Sequence, residues 1–124
     1  MLRLLLLALL GGPMLMAAAP VYKVAAFQAD TTPDRGQPNI WVEPATSVID
    51  PLFAKGTVLE FNGARVVMAA IDWCGIGGST HLMLRSRIAA AARTDVKNVA
   101  LQSVHQHTAP YVDGDAYALL SAAK

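Results

Sequence analysis

The chain has 124 residues, with 10 basic and 9 acidic side chains, 54% hydrophobic and 15% charged. That length holds one domain at most, and so even a balance of charge gives no electrostatic case for nucleic acid, whose binding wants a clustered basic face. Residues 1–19 account for much of the apolar excess and read as a cleaved secretory signal peptide. Arg3 gives the positive start, residues 4–10 the leucine-rich run, and Ala17-Ala18-Ala19 the small residues for cleavage. A membrane anchor needs about 20 uninterrupted apolar residues, and Gly11-Gly12-Pro13 breaks this stretch. The mature protein is therefore expected to be secreted or periplasmic, beginning near Pro20.

Residues 21–30 hold aromatic and β-branched side chains and read as a strand. Residues 31–39 are turn-rich, and 40–48 are irregular apart from a short strand considered at 40–42. Strands at 56–61 and 64–71 flank Asn62-Gly63, the pair that best tolerates the positive φ angles of a type I′ hairpin turn. The second of these strands is almost wholly apolar, as a central strand covered on both faces would be. Residues 73–78 read as a loop, Ser79 or Thr80 as a helix cap, and 81–93 as a helix whose Leu84, Ile88, Ala91 and Ala92 share one face. The chain turns over 94–98 into an apolar strand at 99–104, continues as a loop over 111–115, and becomes helical from 116. The fold class is α/β: a β-hairpin followed by a right-handed β-α-β unit in a mixed sheet. The chain stops inside a helical stretch without a capping residue, so 20–124 are expected to be the N-terminal portion of a larger domain.

The chemistry is expected at Ser103-Val104-His105-Gln106-His107-Thr108-Ala109-Pro110. Open α/β sheets place their sites at the carboxyl ends of strands, and a parallel pair would bring Asp72 and His105 to one edge. In an extended segment His105 and His107 point to opposite sides; a turn at Thr108-Ala109-Pro110 would direct both into one pocket. Imidazole is the commonest protein metal ligand, but catalytic zinc usually takes three protein ligands. Only three histidines exist, and His81 reads as a polar residue of the first helical turn. Asp72 can orient a histidine by accepting its second ring N–H, or can bond the backbone of 75–78. The single cysteine, Cys74, allows no intrachain disulfide and reads as a small buried hydrophobe rather than a soft ligand. Gly75-Ile76-Gly77-Gly78 lacks the lysine and spacing of a phosphate loop, and neither Ser79 nor Ser103 has a nucleophile-elbow context.

Four segments, in order, resemble the N-terminal catalytic domain of neutral/alkaline non-lysosomal ceramidases. They are Ala29-Asp30-Thr31-Thr32-Pro33, Asp50-Pro51-Leu52-Phe53-Ala54-Lys55-Gly56, Arg65-Val66-Val67-Met68-Ala69-Ala70-Ile71-Asp72, and 98–110 with its two histidines. The resemblance implies His105 as a zinc ligand, His107 as the active-site residue facing substrate, and hydrolysis of the amide of ceramide to sphingosine and a fatty acid. It also implies peripheral contact with a membrane, and further ligands (a His, a Glu and a Tyr) beyond residue 124. Where the family has His-Thr-His-Ser-Gly-Pro, this chain has Gln106, Thr108 and Ala109, which keeps both imidazoles and changes the loop around them. Two other readings stay open: a catalytically inactive domain of this fold that binds lipid or a partner, and a small exported protein that holds metal through His-x-His.

Overall fold

The computed structural model describes residues 19–37, 39 and 42–122. Residues 1–18 of the expected 1–19 signal peptide lie outside them, as do Ile40 and Trp41, on which the short strand at 40–42 rests. The elements in order are β1 (Tyr22–Asp30), β2 (Phe53–Phe61), β3 (Ala64–Ile71), β4 (Gly75–Ile76), α1 (Gly78–Ala92), a 3-10 turn at Val96–Asn98, β5 (Val99–Ser103), β6 (Tyr111–Val112) and α2 (Gly114–Ala122). The fold is α/β, built on a four-stranded mixed sheet in the order β1-β2-β3-β5.

The β2–β3 hairpin closes through Asn62 at φ 48° and Gly63 at φ 83°, the two positive angles that a type I′ turn demands. β2 begins at Phe53, earlier than composition indicates, because Ala54 and Lys55 pair with Ala29 and Gln28 of β1 on one side and with Ile71 and Ala70 of β3 on the other. β3 and β5 are parallel, with Ile71 beside Ser103, so both strands end at the same edge. α1 lies between them in sequence and packs on one face of the sheet.

That face holds the core. Val67, Ala89 and Val99 form one buried cluster, and Ala69, Ile71 and Leu101 another, bridged by Ile88 of the helix. Each such aliphatic side chain contributes about 1.5–3 kcal/mol when fully buried. Ala89 rather than Ala91 belongs to the buried stripe of α1, and Ala91 is exposed. The stripe also carries the half-buried His81 and Arg85, which shifts its centre away from Ala91. The opposite face of the sheet presents Tyr22, Val24, Leu59, Phe61, Val66 and Met68, all exposed. β3 is thus covered on one face, not on both, among the described residues.

Three local expectations are corrected. Residues 73–78 and 111–115 are not plain loops: Gly75–Ile76 and Tyr111–Val112 pair in parallel as a second, two-stranded sheet. α1 is capped by neither Ser79 nor Thr80; it starts at Gly78 with Gly77 as N-cap and no side-chain cap bond. Its first-turn donors are served from far along the chain: the Ser79 N–H and hydroxyl both donate to Asp115, at 2.8 and 2.6 Å. The Thr80 hydroxyl, in turn, accepts from the N–H of Gly114 at 2.8 Å. The second helix starts at Gly114 instead of 116, and Asp113 caps it by accepting from the N–H groups of Asp115 and Ala116. No helix of the described residues is long and apolar enough to cross a membrane.

Candidate functional site

β3 and β5 end together, and each is followed by a segment that cannot continue the sheet. After β3 the chain runs through Asp72, Trp73 and Cys74; after β5 it runs through Val104, His105 and Gln106. The two segments close on each other through four consecutive main-chain carbonyls. The N–H of Val104 donates to Ile71 at 3.0 Å and the N–H of His105 to Trp73 at 3.1 Å. The side-chain amide of Gln106 donates to the carbonyl of Asp72 at 2.6 Å. Nδ1 of His105 lies 2.8 Å from the carbonyl of Cys74.

The last contact fixes the chemistry of His105. A carbonyl oxygen only accepts, so Nδ1 carries the proton and donates. In the neutral ring Nε2 then bears the lone pair, the form in which imidazole binds a metal while its other nitrogen is held by a carbonyl. The backbone bends to allow this: His105 sits at φ 63°, in the left-handed region. A non-glycine residue there costs roughly 1–2 kcal/mol, and such residues persist only where their surroundings over-determine them. The bend also breaks the alternation that would separate the two histidines. Their rings lie 5.2 Å apart, centroid to centroid, in an edge-on arrangement at 81°.

The other expected residues are placed as follows. Asp72 stands at the same sheet edge as His105, and its carboxylate accepts from the N–H of Phe53 at 3.0 Å, closing the β2–β3 ladder. Cys74 is buried, 1% exposed, with Sγ 4.0 Å from Nδ1 of His105; a thiol at that distance packs rather than ligates. His81 does lie on the first turn of α1, and its Nε2 donates to the carbonyl of Leu101 at 3.0 Å, facing the free edge of β5. It is thereby held in the opposite tautomer from His105. Arg85 extends the same cover, donating to the carbonyls of Val99 and Val96 at 2.9 and 2.7 Å. Among the described residues no group of three His, Cys, Asp or Glu side chains is gathered to hold a metal ion.

Sequence reading did not find two of the residues that build this edge. Gln106 stood out only as a departure from a resembling motif, and its reach to Asp72 depends on pairing across 34 positions. Trp73 donates its indole N–H to the carbonyl of Thr31 at 3.0 Å, tying the loop after β1 to the site. Ala109 and Pro110 are buried, and the carbonyl of Pro110 accepts from the N–H of Cys74 at 3.0 Å. The turn expected at 108–110 is therefore anchored on the loop that also holds His105.

A cavity of about 450 Å³ opens beside the motif, between Gln106 and Thr108 on one wall and Pro33, Arg35, Val48 and Leu52 on the other. A larger cavity, about 550 Å³, lies along the free edge of β5 near Lys55, His81 and Arg85. Position, not volume, distinguishes the two: neither is lined by His105 or His107, but the smaller is lined by Gln106 and Thr108, the neighbours of His107 in sequence. Two carboxylates near these segments titrate below the usual carboxylate range. The Thr32 side chain and N–H hold down Asp30, and the hydroxyl and N–H of Ser79 hold down Asp115.

Comparison with protein-family models, with curated proteins and with solved structures found no match.

Proposed function

We propose that these residues form the histidine-bearing part of an exported, zinc-dependent amide hydrolase of the neutral-ceramidase kind, acting on ceramide or a related amide lipid. One observation carries the reading: His105 is held through Nδ1 on a main-chain carbonyl, with its Nε2 left to bind a metal and the His107 ring beside it. Two imidazoles suit the nitrogen-donor part of a zinc site, and catalytic zinc takes three protein ligands. The resemblance to the ceramidases supplies the remaining ligands, a further His, a Glu and a Tyr, from outside the described residues. The chemistry a bound zinc supplies is activation of water and polarisation of the amide carbonyl. His105 would hold the metal. His107, two positions past the held histidine, would face the substrate and move a proton at the scissile amide. The mixed apolar and charged cavity beside Gln106 suits an amphipathic amide. The exposed apolar face of the sheet suits a larger domain in which a further layer covers it.

The competing reading is a domain of this fold that binds lipid or a partner without turnover. The two separate in one experiment: zinc content by elemental analysis beside hydrolysis of a fluorescent ceramide, on exported protein whose N-terminus is sequenced. The hydrolase reading predicts about one zinc per chain, turnover lost on chelation and restored by zinc, and an N-terminus near Pro20. Zinc-free protein with full turnover would refute the metal assignment. Lipid binding without turnover in the zinc-loaded protein would favour the inactive domain.

A further inference from the structure

We infer that Gln106 is a positioning residue, a latch whose amide holds His105 in its left-handed conformation and so sets the tautomer and placement of the histidine pair. Four donors close the 104–106 segment onto the carbonyls of residues 71–74. Two are main-chain N–H groups of Val104 and His105, and a third is the imidazole being positioned. Gln106 is the only one of the four that is a side chain other than the imidazole itself. Its bond is also the shortest, 2.6 Å, and the residue is half-buried. The amide orientation follows from chemistry, since only its N–H₂ group can face a carbonyl. Its oxygen is then turned to the Thr108 hydroxyl, 3.5 Å away. Gln106, the residue between the two histidines, therefore ties the end of β3 to the turn that follows them.

The physical need for such a latch is the φ of 63° at His105. Left to itself a histidine after a strand prefers an extended backbone, and the cost of leaving it must be met by contacts on both sides. The N–H and Nδ1 bonds of His105 act on its amino-terminal side and on the ring. Gln106 acts immediately on the carboxyl side, so removing its donor frees the ψ side of His105 and with it the direction of the ring. The Cys74 carbonyl then loses its hold on Nδ1, and the neutral ring is no longer confined to one tautomer.

This deepens the reading of His105 as a metal ligand and rests on it only for its consequence, so its test needs neither zinc nor substrate. Protein labelled with ¹⁵N at the histidine rings is observed metal-free, at a pH alkaline enough for all imidazoles to be neutral. The native chain is expected to show His105 as a single Nδ1–H tautomer and His81, held on Leu101, as a single Nε2–H tautomer. Gln106→Met keeps the length without a donor, and Gln106→Glu keeps the shape with an acceptor in its place. Both are expected to convert His105 to a mixture of tautomers while leaving His81 unchanged. Retention of the pure Nδ1–H form in both variants would overturn the latch. So would loss of the His81 signal together with that of His105, because a local latch does not hold the whole fold. Zinc affinity, read on the same samples, is expected to fall by about 10–100-fold, as when the partner that orients a ligand is lost. A variant that loses the single tautomer yet binds zinc as before would leave the latch standing and sink the ligand assignment instead.

Discussion

Arg93 and His105 are both non-glycine residues in the left-handed region, at φ 53° and 63°, yet they stand at opposite ends of the sheet for different reasons. Arg93 ends a helix. Its N–H bonds back to the carbonyls of Ala89 and Ala90, the ordinary way a helix satisfies its last acceptors. Around it, Arg65 donates to Glu60 at 2.7 Å and to the carbonyl of Ala92 at 3.0 Å, and the Thr94 hydroxyl donates to the carbonyl of Arg65 at 2.7 Å. His105 follows a strand, where no helix end calls for such a turn. Its conformation is held by bonds to a loop over thirty residues away in sequence, and the result is a paired, oriented imidazole. The same backbone state is thus structural at one end and serves the candidate site at the other.

Removal of the His105 ring carries the largest expected effect. In zinc-loaded protein, His105→Ala is expected to lose metal and turnover together, by more than the roughly 100-fold expected of an outer-shell partner. His107→Ala is expected to retain much of the zinc and slow turnover by about 10²–10⁴, the range of a lost proton-transfer group. Equal loss of zinc in the two variants would show that the pair acts as joint ligands. At the far end, Arg65→Ala should cost about 1.5–3 kcal/mol in denaturant unfolding, since it removes charged hydrogen bonds to Glu60 and the helix end. Zinc content should not change; if it did, the two ends would not be independent.

The fold was readable where one local rule sufficed. Asn62-Gly63 announces its turn because few residue pairs accept two positive φ angles, and the apolar runs at 64–71 and 99–103 around a helical stretch announce a parallel pair. The two-residue strands β4 and β6 are too short to show any period. The start of α1 was misread because its first donors are served by Asp115 rather than by a neighbouring cap. At the site, the sequence identifies the histidines and the shared strand edge. It cannot show that His105 is bent, that the Asp72 carboxylate serves Phe53, or that Gln106 reaches Asp72, since each depends on contacts across 19 to 34 positions.

Smaller effects sharpen the contrast. A glycine relieves left-handed strain wherever it lies, so His105→Gly should be more stable than His105→Ala by about 1 kcal/mol, the reverse of the helix-interior order. Arg93→Gly should also stabilise, by up to about 1 kcal/mol, with no effect on metal or turnover. Thermal unfolding of the three variants against the native protein checks both. The smallest effect is on pH dependence. Asp30, Glu60 and Asp115 are held below their ordinary range, Glu60 by Lys23 and then Arg65. A carboxylate whose folded pKa is depressed stabilises above its unfolded value, and that contribution is lost as pH falls through the folded one. Stability should therefore decline below about pH 4, and Ser79→Ala, which removes the hydroxyl bond to Asp115 and leaves the backbone one, should make that decline shallower.

On the proposed reading, His105 presents Nε2 to a metal because Nδ1 is held by the Cys74 carbonyl, while the Cys74 thiol stays out of the site. X-ray absorption at the zinc edge of the purified, zinc-loaded protein tests it directly. The expected spectrum has nitrogen or oxygen neighbours at about 2.0–2.2 Å, with the outer-shell scattering of at least one imidazole, while His105→Ala purified in parallel holds no zinc to give a spectrum. A sulfur neighbour at about 2.3 Å, or a His105→Ala variant that keeps its zinc with the imidazole signal unchanged, would contradict it.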